Sequence, residues 1–275
     1  MKLGFTFDEK ILNKIEINKL LSKASEIGVS SIELSPDKNI IDVKKYLDIA
    51  KVANDYSVDI NYHIPYFADN NLYEIMNFKE HETKVKEKYV SLLSIIEEIE
   101  QLISKKSIIV VHGANYNNIE SFNKGIYNML SFIDWILNFL SRKNINISLA
   151  LETLRKEQSR VIGDTREDIF KIVNDFNSNR LGVCWDITHD TMNYYPHEPP
   201  LNDDFLNKII YTHIHGIDLN NNKSHFSIKN SDIDFNREVE FLKNNNYDGI
   251  LNLELLVSHC GDGYLEYLFD DIELF

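Results

Sequence analysis

The sequence is poor in the residues that staple, divide or anchor a chain. Its 275 residues hold two cysteines, Cys184 and Cys260, and no C-x-x-C pair. No disulfide framework is available, and both thiols are expected to be reduced, Cys184 in the core of its strand. Five prolines and ten glycines are scattered, and no Pro/Gly/Ser-rich linker or low-complexity tract divides the chain. One domain over residues 1–275 is therefore expected. No apolar stretch nears the roughly 20 residues that a membrane span requires. The N-terminal MKLGFTF enters a strand-like run rather than a signal peptide, so a soluble, cytoplasmic protein is expected. The sequence also lacks the G-x-G-x-x-G and G-x-x-x-x-G-K-[ST] phosphate loops, the H-E-x-x-H zinc helix and zinc-finger spacings.

Basic residues are the other shortage. Lys and Arg number 29 against 43 Asp and Glu, for a net charge of −14. This disfavours nucleic acid held by a broad electrostatic surface, although bound metal ions can reverse the field inside a site. The acidic residues are spread along helical stretches such as KEHETKVKEKYVSLLSIIEEIEQLI, where a solvated face accounts for most of them.

What is present is a repeated pattern. Short β-branched runs alternate with longer helical ones, the mark of βαβ units. Strands are expected at Lys2–Phe7, Ser31–Ser35, Val58–Ile64, Ser107–His112, Ile147–Glu152, Leu181–Asp186, Ile209–His215 and Ile250–Glu254. Gly28 reads as a helix C-cap, Asp164–Thr165 as a helix start and Tyr247-Asp248-Gly249 as a turn into the last strand. Eight such units predict an α/β chain closed as a (β/α)₈ TIM barrel, with a doubly wound open sheet as the other solution. The loop Asn193–Pro200 (NYYPHEPP) is aromatic and Pro-rich, as a pocket wall would be. Exposed aromatics such as Tyr194, Tyr195 and Phe67 would suit either a pocket or a homo-oligomer contact.

Most of these strands end in a potential metal ligand. His63 closes VDINYH, His112 closes SIIVVH, Glu152 closes ISLALE and Glu254 closes GILNLE, while Asp186 and His189 follow RLGVCW and His215 sits in IIYTHIH. In a parallel barrel all strand C-termini meet on one rim, so these side chains would converge. Glu152, Asp186, His215 and Glu254 form a hard, oxygen-rich donor set suited to one divalent metal ion: Mn²⁺, Mg²⁺, Co²⁺ or Zn²⁺. Each carboxylate could instead meet solvent or cap the next helix. Glu152 and Glu254, inside apolar runs, would be costly there without a partner. His63 and His112 fit a hydrogen-bonding core role as well as a site role. His189 would reach the rim from the following loop, and His213 or His215 could support the other from behind. His225, in the polar NNNKSHF, would suit solvent. Arg155 and Lys156 are candidate anchors for substrate oxygens or plain surface cations. His81, His197 and His259 have no assigned role.

At these residues the chain resembles the xylose isomerase-like TIM-barrel superfamily. That group includes sugar isomerases, ketose 3-epimerases, inosose dehydratases and the endonuclease IV group of apurinic-site endonucleases. The resemblance is carried in order by IGVSSIEL, HIPY, VVHGA, ALET, GVCWDITH, HIHGID and YDGILNLEL. It implies Glu152, Asp186, His215 and Glu254 as a single-metal quartet in an isomerase or epimerase of a small sugar or related polyhydroxylated carbonyl compound. Glu152 and Glu254 would also move the proton through an enediolate, and His189 would contact substrate. The endonuclease resemblance implies the same quartet plus His63, His112, His189 and His225 around up to three Zn²⁺, acting on apurinic DNA. It departs at Lys223, where that group carries a metal-binding Asp. SIKNSDIDF replaces the Gly-rich turn that many relatives have after the seventh strand's His. A barrel that binds metal and sugar without turnover is a further possibility, against which intact Glu152 and Glu254 argue.

Overall fold

The computed structural model describes residues 1–8, 10–11, 15–35, 43–64, 75–103, 106–116, 118–156, 160–195, 201–221 and 223–275. Eight parallel strands close into a barrel in sequence order. They are β1 (Lys2–Phe7), β2 (Val29–Leu34), β3 (Asp59–His63), β4 (Ser107–Val111), β5 (Ile147–Glu152), β6 (Leu181–Asp186), β7 (Ile209–Ile214) and β8 (Ile250–Leu253). The ring is sealed where Lys2–Phe5 of β1 run beside Ile250–Leu253 of β8. The open-sheet alternative is thereby excluded, and every expected strand is present.

Helices alternate with the strands: α1 (Ile17–Glu26), α2 (Val43–Asp55), α3 (Glu82–Ile103), α4 (Ile119–Arg142) and α5 (Arg166–Phe176). Two short ones follow β6, α6 (Ile187–Tyr194) and α7 (Asp203–Leu206). Then come α8 (Asn236–Asn244), α9 (Val257–Cys260) and α10 (Tyr264–Ile272). Among the described residues no helix is long and apolar enough to cross a membrane. Gly28 adopts φ +93° just beyond α1, a conformation that only a residue without Cβ takes cheaply. Thr165 caps α5 by accepting from the Asp168 amide at 3.2 Å, as the sequence predicts.

Strands wrapped in helices are buried on both faces, and β5 and β6 are buried at every residue. Side chains two apart share a face, so each strand sends alternate residues inward. Val110, Ala150, Cys184, Tyr211 and Ile250 form an apolar plug inside the ring. Two residues further on stand His112, Glu152, Asp186, His213 and Asn252. The outward set, Leu149, Leu151, Val183 and Trp185 among them, packs into the helical layer, where the Trp185 ring meets Phe205 and Phe241 edge-on.

One acidic residue departs from the solvated-face expectation. Glu100 of α3 is buried, where it accepts from Tyr62 Oη at 3.0 Å and Ser107 Oγ at 2.6 Å. It ties α3 to β3 and β4. His197, Phe67 and the loop from 196 to 200 lie outside the described residues.

After β7 a two-stranded hairpin, Gly216–Asp218 paired with Lys223–Phe226, rises above the rim. The SIKNSDIDF segment that follows is held by an acidic clamp. Asp271 of α10, fully buried, accepts from Ser227 Oγ (2.9 Å), Ile228 N (2.8 Å) and Lys229 N (2.9 Å). A Cβ at Gly216 would sit 1.9 Å from the Ser227 carbonyl oxygen. Gly216→Ala must therefore push the hairpin's base open. It should destabilise the fold by about 1–3 kcal/mol, the range for forced overpacking; urea unfolding checks it, and an unchanged midpoint would refute it.

Candidate metal centre

Strand ends deliver the site, and each end is locked by bonds of its own. Asp186 finishes β6 and starts α6: its Oδ1 accepts from the His189 amide at 2.8 Å, the N-cap bond of that helix. The capping role weighed from sequence is therefore real, yet it occupies only one oxygen. Asp186 Oδ2 is left facing His189 Nδ1 at 2.9 Å and His215 Nε2 at 3.6 Å. Behind it, the Asp186 amide donates to Thr153 Oγ1 at 2.8 Å. Thr188 Oγ1 both donates to the His215 carbonyl (2.7 Å) and accepts from its amide (2.9 Å), pinning α6 to β7. The next turn of α6 is anchored by Asp190, whose Oδ2 accepts from Trp185 Nε1 at 2.8 Å and pairs with Arg166 Nε at 2.5 Å.

Glu152 faces two ways. Its Oε2 lies 3.1 Å from His63 Nε2 and 2.9 Å from His112 Nε2, and those two nitrogens are 3.1 Å apart. Its Oε1 lies 3.4 Å from His213 Nδ1 and 4.0 Å from His189 Nδ1. Glu254 Oε2 stands 3.4 Å from both His213 Nδ1 and His225 Nε2. The structure thus gathers Glu152, Asp186, His215 and Glu254 with His63, His112, His189 and His225. Each expected ligand candidate reaches the rim. Arg155, just beyond β5, is half-buried, and Lys156 is exposed.

Several residues go further than the sequence suggests. His225 is no solvated histidine: its ring stacks on His215 with centroids 4.1 Å apart. It holds φ +56°, uncommon for a non-glycine residue. The β8–α9 loop grips this turn, since Leu256 N donates to the His225 carbonyl at 3.1 Å and His259 Nδ1 lies 2.6 Å from the Ser224 carbonyl. His259 therefore has a structural part. Lys223 is exposed on the hairpin opposite Asp218. His213 and Glu33 are buried in the barrel with Nε2 and Oε2 at 2.8 Å. Glu33 went unassigned; its signal was a carboxylate inside IGVSSIEL at an inward-facing position.

Among the described residues four sets of side chains, each with its ligand atoms within 4.8 Å of one another, could hold a cation: His63–His112–Glu152, Glu152–Asp186–His213–Glu254, His63–His213–Glu254 and His189–His215–His225. Asp186 Oδ2, Glu254 Oε2, His215 Nε2 and His189 Nδ1 are buried and make no well-aligned hydrogen bond, meeting other site groups only as close ion pairs. Leaving such atoms unsatisfied is costly, and a shared cation removes the cost. The donor chemistry fits a divalent ion.

Protons occupy the metal-free site. Burial lowers His63, but the Glu152 carboxylate outweighs it and lifts the imidazole to about 9. His189 is likewise depressed by burial and raised by Asp186, Glu152 and Glu254 to about 9. Burial would raise Glu254; His213 and His225 bring it down to about 2. Glu152, raised by burial, is held well below the usual carboxylate range by His112, His213 and His63. Burial, with His225 beside it, takes His215 the other way, to about 4.

The sign of the pH effect follows. Protonated His63 and His189 stabilise the metal-free fold fully below pH 6.5, and this contribution disappears as pH rises through about 9. A cation must displace the same protons. Metal affinity should therefore climb from pH 6.5 to 9 while the melting temperature of chelator-treated protein falls. Titrations and melts at stepped pH check both, and an affinity flat across that window would count against the site.

A family model described as xylose isomerase-like TIM barrel matches residues 21–266. Among solved structures the chain is similar to a D-tagatose 3-epimerase-like protein, with 20% identity and TM-score 0.66 over 100% of this chain and 99% of that one. It is similar to the D-psicose 3-epimerase of Clostridium cellulolyticum H10, solved with D-tagatose, with 13% identity and TM-score 0.66 over 100% and 90%. A family 2 AP endonuclease from Brucella melitensis gives 10% identity and TM-score 0.65 over 93% of each chain. At these identities the likenesses establish the barrel fold. A search of curated protein sequences gives no significant match.

Proposed function

The chain belongs to the xylose isomerase-like TIM-barrel family, and from that premise we propose that it is a divalent-metal-dependent isomerase or epimerase of a small sugar or related polyhydroxylated carbonyl compound. The observation that carries this reading is that Glu152, Asp186 and Glu254 offer ligand oxygens within 4.8 Å of one another, with His215 Nε2 3.6 Å from Asp186 Oδ2 and Asp186 Oδ2, Glu254 Oε2 and His215 Nε2 buried without a hydrogen bond. The 3-epimerase names among its structural relatives support it.

Glu152, Asp186, His215 and Glu254 would hold the ion. When bound, a divalent cation polarises a substrate carbonyl and stabilises the negative charge that forms when a neighbouring carbon loses its proton. Glu152 and Glu254, arriving from β5 and β8, are the two groups that move that proton. One carboxylate removes it and the other returns it on the opposite face, which inverts the centre; return to the adjacent carbon gives the isomer. Their surroundings keep both carboxylates ionised at neutral pH, since His112, His213 and His225 hold them below the usual range against the opposing effect of burial. His189, anchored through α6, contacts the substrate beside the ion. Arg155, half-buried beyond β5, is placed to meet substrate oxygens.

A second reading is favoured by one observation. His63 and His112 converge on Glu152 Oε2, a trio able to take another ion, as an endonuclease IV-like zinc centre acting on apurinic DNA requires. Exposed Lys223, where that group carries a metal-binding Asp, and the net charge of −14 oppose it.

The test combines metal content with proton exchange. Protein purified without chelator or affinity-tag metal should carry about one exchangeable divalent ion per chain, as the single quartet requires. In deuterated water, one of a panel of ketopentoses and ketohexoses should gain deuterium next to its carbonyl. Glu152→Gln and Glu254→Gln should each fold and lose at least about 10²-fold in kcat. Three tightly held zinc ions with cleavage of an apurinic-site duplex would replace this reading by the second. Unchanged turnover in either Gln variant would sink the proton-transfer assignment.

A further inference from the structure

Beneath the rim lies a polar chain that the proposed reaction does not use. Glu33 of β2 is fully buried. Its Oε1 accepts from Thr6 Oγ1 at 3.0 Å, and Thr6 Oγ1 accepts from Asn252 Nδ2 at 2.9 Å. Its Oε2 lies 2.8 Å from His213 Nε2. Thr6 thus occupies one Glu33 oxygen, and the other faces His213 Nε2. The opposite nitrogen, Nδ1, is 3.4 Å from Glu152 Oε1 and 3.4 Å from Glu254 Oε2. The ring cannot rotate freely: it stacks on His63 (5.8 Å, 15°) and meets Tyr211 edge-on (5.5 Å, 78°). One imidazole thus touches both glutamates, and its far side is tied to Glu33 of β2.

We infer that Glu33 and His213 are positioning residues, a buried carboxylate–imidazole pair that fixes Glu152 and Glu254 relative to each other from inside the barrel. This rests on the metal-dependent reading above and names the device that sets the spacing of its two proton-moving groups. Burying a carboxylate this deep is costly, and the polar partners of Glu33, Thr6 and His213, offset that cost. Partners behind metal ligands orient those ligands and tune how tightly they hold the ion. Glu33 would do so at one remove, through His213.

Glu33→Gln is the direct test, because the amide keeps the shape and one acceptor but loses the second. The metal-free variant should bind Mn²⁺, followed by electron paramagnetic resonance, about 10-fold or more weakly than wild type. Its Co²⁺-loaded visible spectrum should shift, since the spectrum reads ligand geometry rather than stability. Ser31→Ala is the control: it removes the bond from Asn61 Nδ2 to Ser31 Oγ (2.8 Å) in the same barrel interior without touching the pair. It should lower the melting temperature and leave affinity and spectrum unchanged. Thr6→Val removes only the hydroxyl that anchors Glu33 and should act in the same direction as Glu33→Gln but less, keeping the inference testable if Glu33→Gln fails to fold. Mn²⁺ affinity within about twofold of wild type, well short of the effect of losing such a partner, with an unchanged Co²⁺ spectrum would overturn the inference while the metal reading stood. An equal loss in Ser31→Ala would overturn it too. A wild-type protein that binds no divalent ion would remove both.

Discussion

Closing eight strands into a ring leaves every second side chain no direction but inward. This steric constraint orders the rest of the molecule. Helices take the outward set, and a narrow interior must be filled by whatever the inward set supplies. Here it supplies a small apolar plug and then polar and ionisable groups. Buried charges must be compensated, so the upper interior is a connected system of carboxylates and imidazoles rather than a row of independent residues.

Charge compensation explains how the rim is organised. Glu152, Asp186 and Glu254 each meet more than one histidine, and each histidine in turn depends on how those carboxylates are aimed. The scaffold supplies the aim. Thr153, Thr188 and Asp190 fix β6, α6 and β7 against one another through hydrogen bonds that leave the ligand oxygens free. Asp186 shows the economy of the arrangement: one oxygen starts a helix and the other faces His189 and His215.

Much of this was legible in the sequence because a parallel strand converts linear spacing into direction. A run such as ISLALE states where its terminal carboxylate will point once the fold is known, and the same holds for RLGVCWD and IIYTHIH. The barrel and the convergence of Glu152, Asp186, His215 and Glu254 follow from that logic. Glu33 escaped because a carboxylate near a strand end reads as one more rim residue, and its partner His213 lies 180 residues away in the chain. His225 is legible only through the endonuclease resemblance, because a polar loop by itself gives no sign of its return path. Its placement depends on Leu256 and His259, more than thirty residues away in sequence. Glu100 was hidden by a helix otherwise rich in solvated acids, its buried register set by Tyr62 and Ser107.

The Asp271 clamp links the two ends of this story in time. The turn after His225 is held by a carboxylate on α10, which follows every barrel strand in the chain. During synthesis the ring could be complete while the hairpin above it still lacked its anchor. Histidine and carboxylate would then meet in their final arrangement only after α10 had emerged and docked. A nascent barrel without that helix would offer an imperfect cradle to any cation it met, so assembly itself delays the moment at which the centre becomes selective.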